Sequence, residues 1–308
     1  MSDPNPKLWA IVLAGGHGTR LASLTRALYG TDLPKQYAVL AGSRSLLQAT
    51  VDRILPLVPA ERIVVVVSRE HEAIARHQLR EWPGAELVVQ PRNLDTGPGL
   101  ILPLARIRAR DRSARVAVLP ADHHISGPEA FLHAIELGLL ASRLDPAAIS
   151  LLGAEPDEPD TEYGWIVAGR RMGTFGLRRV QRFIEKPALP LAEQLFRQGA
   201  LWNTFVMVAA VEALWRLSSS HLPGHAARME ACRRAIDLEE AYATLPAANF
   251  SRAVLERAEH LAVISLRGAG WSDWGTPRRV FQTLAGTADH ERLLARMAAP
   301  ADRQAAVA

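Results

Sequence analysis

Of the 36 basic residues in this 308-residue chain, only three are lysines: Lys7, Lys35 and Lys186. Wherever a generic positive charge suffices, the sequence uses arginine. Lys7 sits in a polar lead, but the other two occupy distinctive contexts, Leu33-Pro34-Lys35-Gln36 and Phe183-Ile184-Glu185-Lys186-Pro187. An ammonium is a compact point charge on a flexible stem and a guanidinium is a planar fork, so a retained lysine suits an anion met end-on. Upstream, the apolar run Trp9–Leu13 leads into Ala14-Gly15-Gly16-His17-Gly18-Thr19-Arg20-Leu21. The clustered glycines leave backbone N–H groups unshielded, and a phosphate can approach them closely. Arg20 follows at once and can fork onto phosphate oxygens. With Lys35, whose backbone is restricted by Pro34, it could clamp a triphosphate.

Two familiar phosphate loops do not fit. A dinucleotide fingerprint beginning at Gly16 needs glycine where Leu21 stands, and an acid about 20 residues on, where the chain has Leu33-Pro34-Lys35-Gln36. A Walker A loop needs Gly-Lys followed by Ser or Thr, which is absent. The loop is phosphate-suited but of a third type. Two acids could serve it. Asp122, in Val118-Leu119-Pro120-Ala121-Asp122-His123-His124-Ile125, follows an apolar run read as a strand, and in open α/β sheets ligands sit at the carboxyl ends of strands. Asp273 lies in Gly270-Trp271-Ser272-Asp273-Trp274-Gly275-Thr276-Pro277, a constrained turn. Oxygen ligands suit phosphate-bound Mg²⁺, so the metal is assigned to the aspartates and not to His123 or His124.

The elements that must carry these residues can be read from hydrophobic spacing. Short apolar runs at Leu8–Leu13, Ile63–Val67, Leu87–Val89, Val116–Leu119 and Ile149–Leu152 look like buried strands. Between them, Leu47, Val51, Ile54, Leu55 and Val58 recur at helical spacing, as do Leu100, Ile101, Leu104 and Ile107 after Pro98. Such alternation predicts an α/β sheet flanked by helices. After Glu155–Asp160, an acidic Pro-containing loop, strands are expected at Gly164–Val167, Arg179–Ile184, Phe205–Val208 and Leu261–Leu266. Helices are expected near 190–198, 209–218 and 225–243. The reading is a single domain over 1–290, with a nucleotide-binding half at about 8–155, a substrate lobe at about 156–290, and a tail at 291–308.

Composition limits the partners. No apolar run reaches the roughly 18 residues of a membrane span, and no signal peptide is visible, so a cytoplasmic protein off the membrane is expected. Cys232 is the only cysteine, which rules out an internal disulfide. A net charge of +4 and a pI near 9.6 could suggest nucleic acid, but the basic residues are scattered and aromatics are 6%. No nucleic-acid partner is expected.

In its motifs and their order the chain resembles the sugar-1-phosphate nucleotidylyltransferases. The motifs are Leu13-Ala14-Gly15-Gly16-x-Gly18-Thr19-Arg20-Leu21, Leu33-Pro34-Lys35-Gln36, Pro120-Ala121-Asp122-His123 and Glu185-Lys186-Pro187. With Thr161-Glu162-Tyr163-Gly164-Trp165-Ile166 and Trp202-Asn203-Thr204, the likeness is greatest to the mannose-1-phosphate guanylyltransferases. The motifs span about residues 8 to 280. The resemblance implies a Rossmann-like nucleotidyltransferase fold with a mixed, mainly parallel sheet. It implies that Leu13, Ala14, Gly15, Gly16, Gly18 and Thr19 meet the nucleotide, with Arg20 and Lys35 as catalytic cations on the triphosphate. Thr96 and Pro98 would lie near the base. Asp122 and Asp273 would hold Mg²⁺, and Tyr163, Gly164, Glu185, Lys186 and Asn203 would meet the sugar phosphate. The implied substrates are a nucleoside triphosphate, GTP before others, and a sugar 1-phosphate, and a homodimer is compatible with the family. Two positions depart from its pattern. Phe205 stands where the family commonly has glycine, and Trp274-Gly275-Thr276 replaces Val-Gly-Ser. No additional isomerase domain or long β-helix is expected after the motif set.

Overall fold

The computed structural model describes residues 7–173, 176–232 and 235–298. Eleven strands occur among them: β1 (Leu8–Leu13), β2 (Ile63–Ser68), β3 (Glu86–Gln90), β4 (Arg115–Pro120), β5 (His124–Ile125), β6 (Ile149–Ala154), β7 (Gly164–Met172), β8 (Leu177–Glu185), β9 (Leu201–Ala210), β10 (Leu261–Ser265) and β11 (Trp271–Ser272). Nine form one sheet in the order β3-β2-β1-β4-β9-β6-β10-β8-β7, and β9 also touches β7. Only β8 and β9 run against the others. The mixed, mainly parallel α/β sheet expected from the sequence is present.

Alternation along the strands feeds two apolar layers. Ile11, Val64 and Val66 face one side, and Ala10, Val12, Ile63, Val65 and Val67 face the other. The first layer packs on the helices Thr96–Arg110, Val211–His221, Pro223–Ala231 and Ala235–Thr244, the second on Leu46–Ile54 and Pro128–Leu144. Strands covered on both faces read as continuous apolar runs, which is why β2 is IVVVVS and wholly buried. The 225–243 segment, read as one helical stretch, is two helices separated around Cys232. At the other end the helix Ala288–Ala298 crosses residue 290, where the tail was expected to start, and buries Leu293 against a small cluster with Leu21, Leu28 and Trp274. The rest of that tail, 299–308, lies outside the described residues. Among the described residues no helix is long and apolar enough to cross a membrane.

Register decides where the motif loops emerge. Leu13 pairs with Pro120, so the glycine loop and Asp122 leave the sheet side by side. Ser68 pairs with Gln90, which puts the ends of β2 and β3 on the same edge. The short ribbon β5–β11 pairs His124 with Ser272 and thereby draws together Asp122 and Asp273, which lie 151 positions apart in the chain.

Candidate nucleotidyl-transfer site

The glycine loop is shaped from beneath by polar side chains. Gln36 Nε2 donates to the carbonyls of Ala14 and Gly16 at 3.0 and 2.6 Å, and the Tyr37 hydroxyl donates to Ala14 at 3.1 Å. Ser68 Oγ and Asn93 Nδ2 donate to the Gly15 carbonyl at 2.8 and 3.2 Å. With its carbonyls held in this way, the loop is constrained for an incoming anion. Gly18 has φ 63°, and a Cβ there would lie 2.8 Å from the Lys35 backbone nitrogen. Glycine is required here both by conformation and by space.

Lys35 is 6% exposed. Its Nζ meets Asp122 Oδ2 at 3.1 Å and donates to the Asp273 carbonyl at 2.5 Å. Burial, the largest influence, would raise the Asp122 carboxyl, but the charge and hydrogen bond of Lys35, with His123 and a backbone N–H, together outweigh it and hold the group below its ordinary range. His123 is also buried, which pushes its imidazole down to about 4 and keeps it neutral at pH 7. Its Nδ1 accepts from Trp271 Nε1 at 3.1 Å, so the ring proton falls on Nε2, 3.6 Å from Asp122.

Asp273 is 5% exposed and anchored from several directions. Its Oδ1 accepts from the Tyr163 hydroxyl at 2.5 Å and from the Gly275 amide at 2.9 Å, and its Oδ2 lies 3.4 Å from Arg20. Tyr163 packs on Trp202 and Trp271, and burial beside the Asp273 carboxylate drives its phenol well above the ordinary range. Arg279 caps this cluster. It stacks over Tyr163 and Trp202 and pairs with Glu158 and Asp160 at 2.7 and 2.9 Å.

The residues expected to meet the sugar gather beyond Asp273. Gly164 pairs with Glu185 across β7–β8, and a Cβ on Gly164 would lie 2.6 Å from Glu185 Oε2 and 3.3 Å from the Asn203 side chain. Burial raises the Glu185 carboxyl, with Lys186 opposing. Glu162 links the groups, 3.3 Å from Lys186 and 3.7 Å from Arg20.

A cleft of about 540 Å³ opens beside this cluster, lined by Leu13 to His17, Gln90, Asn93, Thr96, Gly99, Asp122 and Phe205 among others. Thr96 lines it, although its hydroxyl is already engaged by the Phe250 amide at 2.9 Å. Pro98 is buried at the start of its helix, and Thr19 is exposed at the start of a short 3-10 turn. Sequence reading assigned no role to Gln36, Ser68, Gln90, Asn93 or Glu162. Gln36 and Glu162 stood inside quoted motifs, whereas Ser68 and Gln90 are strand-end residues without a local signature.

Asp122 and Asp273 present hard carboxylate oxygens next to the phosphate-suited loop. Among the described residues no three or more His, Cys, Asp or Glu side chains converge as a closed metal cage. Two carboxylates fit Mg²⁺, which keeps several waters and takes its remaining ligands from substrate phosphates.

Residues 9–290 match the family model described as nucleotidyl transferase. The chain is 33% identical to the xanthan biosynthesis protein XanB of Xanthomonas campestris over 288 residues, 90% of this chain and 58% of that protein. It is 31% identical to the mannose-1-phosphate guanylyltransferase ManC of Salmonella typhimurium over 297 residues, 91% of this chain and 60% of that one. Thus it spans about 60% of the length of these relatives. A solved Thermus thermophilus structure, described as a mannose-1-phosphate geranyltransferase, superposes with a TM-score of 0.80 at 35% identity, covering 91% of this chain and 79% of that one. The match runs from the first strand through the helix that follows Asp273, so it takes in both aspartates, the glycine loop and Lys35. The chain belongs to the nucleotidyl transferase family.

Proposed function

We propose that this chain transfers a nucleotidyl group from a nucleoside triphosphate to a sugar 1-phosphate, releasing pyrophosphate, with GTP and mannose 1-phosphate as the substrate pair. The observation that carries this reading is the buried Lys35, in contact with both aspartate loops directly beneath the glycine loop. A sugar phosphate oxygen attacking the α-phosphorus in line is already anionic at neutral pH, so no general base is needed. The barrier is like-charge repulsion and alignment. Lys35 and Arg20 neutralise the triphosphate, and Lys186 meets the sugar phosphate. The two halves of the chain hold the partners for in-line attack. Asp122 and Asp273 would hold Mg²⁺, which when bound supplies Lewis-acid stabilisation of the phosphate charge. His123 and Tyr163 keep the two carboxylates oriented.

The preference for mannose and guanine rests on the relatives' names and on the sequence resemblance, and Phe205 at the cleft wall is the residue that could redirect it. Pyrophosphate release should be measured with Mg²⁺ for GTP, ATP, UTP, CTP and dTTP, each against mannose 1-phosphate and glucose 1-phosphate. Release with GTP and mannose 1-phosphate alone is the expected result. Release with another pair would keep the reaction and replace the substrates. No release with any pair, together with no nucleotide binding by calorimetry, would end the reading.

A further inference from the structure

Three side-chain amides line the nucleotide cleft. Gln36 spends its N–H groups on Ala14 and Gly16. Asn93 donates to Gly15 and accepts from the Asp95 amide at 2.8 Å. Gln90, the last residue of β3, differs. It is 3% exposed, its Oε1 accepts from the Tyr242 hydroxyl at 2.9 Å, and its Nε2 has no acceptor among the described residues. The residue is buried but lines the cleft, so this unengaged N–H pair is placed to meet a ligand there.

Tyr242 decides which end of that amide faces the cleft. It is 1% exposed, and Gln90 is the one partner its hydroxyl has among the described residues. A buried phenol must place its proton on an acceptor, and the Gln90 carbonyl is that acceptor. A flipped amide would turn N–H groups toward the phenol and strand the phenolic proton. Arg92 pins the backbone beside the ring, donating to the Tyr242 carbonyl at 2.9 Å. Glycines stand against the amide on both sides. A Cβ on Gly15 would come within 2.8 Å of Nε2, and one on Gly99 within 3.5 Å of Oε1.

This inference rests on the nucleotide reading above. The charged groups Lys35 and Asp122 mark where phosphates belong, and the far end of the cleft, at Val66, Gln90 and Gly99, is where a flat base with apolar faces would lie. We propose that Tyr242 is a positioning residue that locks the Gln90 amide with its N–H groups toward the base, selecting bases that carry a carbonyl at that edge over those that carry an amino group. O6 of guanine or hypoxanthine and O4 of uracil or thymine accept this donor. Adenine and cytosine present an N–H₂ at the same place, and donor would face donor.

ITP and ATP differ only along this base edge, so the ratio of their kcat/KM values reads the amide and is insensitive to a general loosening that slows both. The intact chain should favour ITP and GTP over ATP. In Tyr242→Phe, whose ring fills the same space, the amide is free to turn and the ITP/ATP ratio should fall about tenfold. In Gln90→Glu, the phenol holds one oxygen and the other faces the cleft as an acceptor, so the preference should invert toward ATP. A folded Tyr242→Phe variant with an unchanged ratio, or a Gln90→Glu variant that still prefers ITP, would overturn the proposal. Equal use of ITP and ATP by the intact chain would overturn it while leaving nucleotidyl transfer standing. No nucleotide bound by the intact chain would remove both.

Discussion

The half of the chain that carries the glycine loop and the half that carries Tyr163, Glu185 and Lys186 are built in different ways. In the first, backbone shapes the site: parallel strands in even register end in a glycine loop, and the positive φ at its tip belongs to Gly18. In the second, side chains do it. Tyr163, Trp202, Trp271 and Arg279 interlock behind Asp273, and β7–β8 and β6–β9 both slip register. Among the described residues, three of the four non-glycine positions with positive φ, Lys186, Phe205 and Trp274, belong to this half. A phosphate is the same in every nucleotide and can be met by main-chain N–H groups. Sugars differ by the orientation of single hydroxyls, so under the proposed function the half that would meet them needs side chains, some held by backbone that glycine would adopt more cheaply.

Lys35→Ala would break the first half most severely. It removes the cation proposed to meet the triphosphate and strands Asp122 without its partner. Loss of one preorganised charge in a transfer site costs on the order of 10²–10³ in kcat. Lys7→Ala, outside every motif, is the control, and steady-state pyrophosphate release compares the two. Equal rates would remove the clamp from the mechanism.

Gly18→Ala tests whether backbone shape carries the phosphate half. The added methyl meets the Lys35 amide 2.8 Å away at a φ that alanine resists. The loop and Lys35 must shift apart, so kcat/KM should fall about ten- to a hundredfold, and the left-handed strain should lower stability by about 1–2 kcal/mol. A rate like that of the unaltered chain would mean the loop has slack.

These two residues were legible in the sequence because their signals are local: a glycine cluster after an apolar run, and a lysine in an arginine-rich chain. Most strands of the main sheet were legible for a similar reason, since burial on both faces leaves unbroken apolar runs, whereas β8 exposes Arg178, Gln181 and Arg182 between buried Leu177, Val180 and Phe183 and has no such run. The β5–β11 ribbon was not. Each of its strands is two residues long, and the pairing that unites Asp122 with Asp273 is a long-range fact with no local trace. Gln90 and Tyr242 were missed in the same way, because 152 positions separate the two halves of their hydrogen bond. Phe205 was visible only as a departure from the family's glycine. The structure supplies the reason for that glycine, a backbone at φ 58°.

The seam between the halves should respond to acid. His124 lies face to face with the buried Trp274, 4.2 Å between ring centroids, and burial pushes its imidazole down to about 4. Between the ordinary value near 6.5 and about 4, the unfolded chain binds a proton that the native chain refuses. Stability therefore falls as pH drops through that window and levels off below it. From pH 7 to pH 5 this one residue accounts for at most about 2 kcal/mol. His124→Phe keeps a ring on Trp274 and deletes the titration, so its urea midpoint should fall less between those pH values. Parallel pH dependence in the two proteins would place the acid sensitivity elsewhere, with His123 the next residue to change.

The smallest effect would sharpen the comparison most. Phe205 pays conformational strain at φ 58°, yet it also packs its ring on Phe250, 6.1 Å between centroids. Phe205→Ala loses the packing and keeps the strain. Phe205→Gly loses the same packing and releases the strain, which for a left-handed residue amounts to about 1–2 kcal/mol. Glycine should therefore be more stable than alanine here by about 1 kcal/mol, the reverse of their usual order within a strand. Urea unfolding of the two variants measures the difference directly. Alanine equal to or above glycine would mean that the second half carries no strain at this position, and that the phenylalanine stands there at no conformational cost.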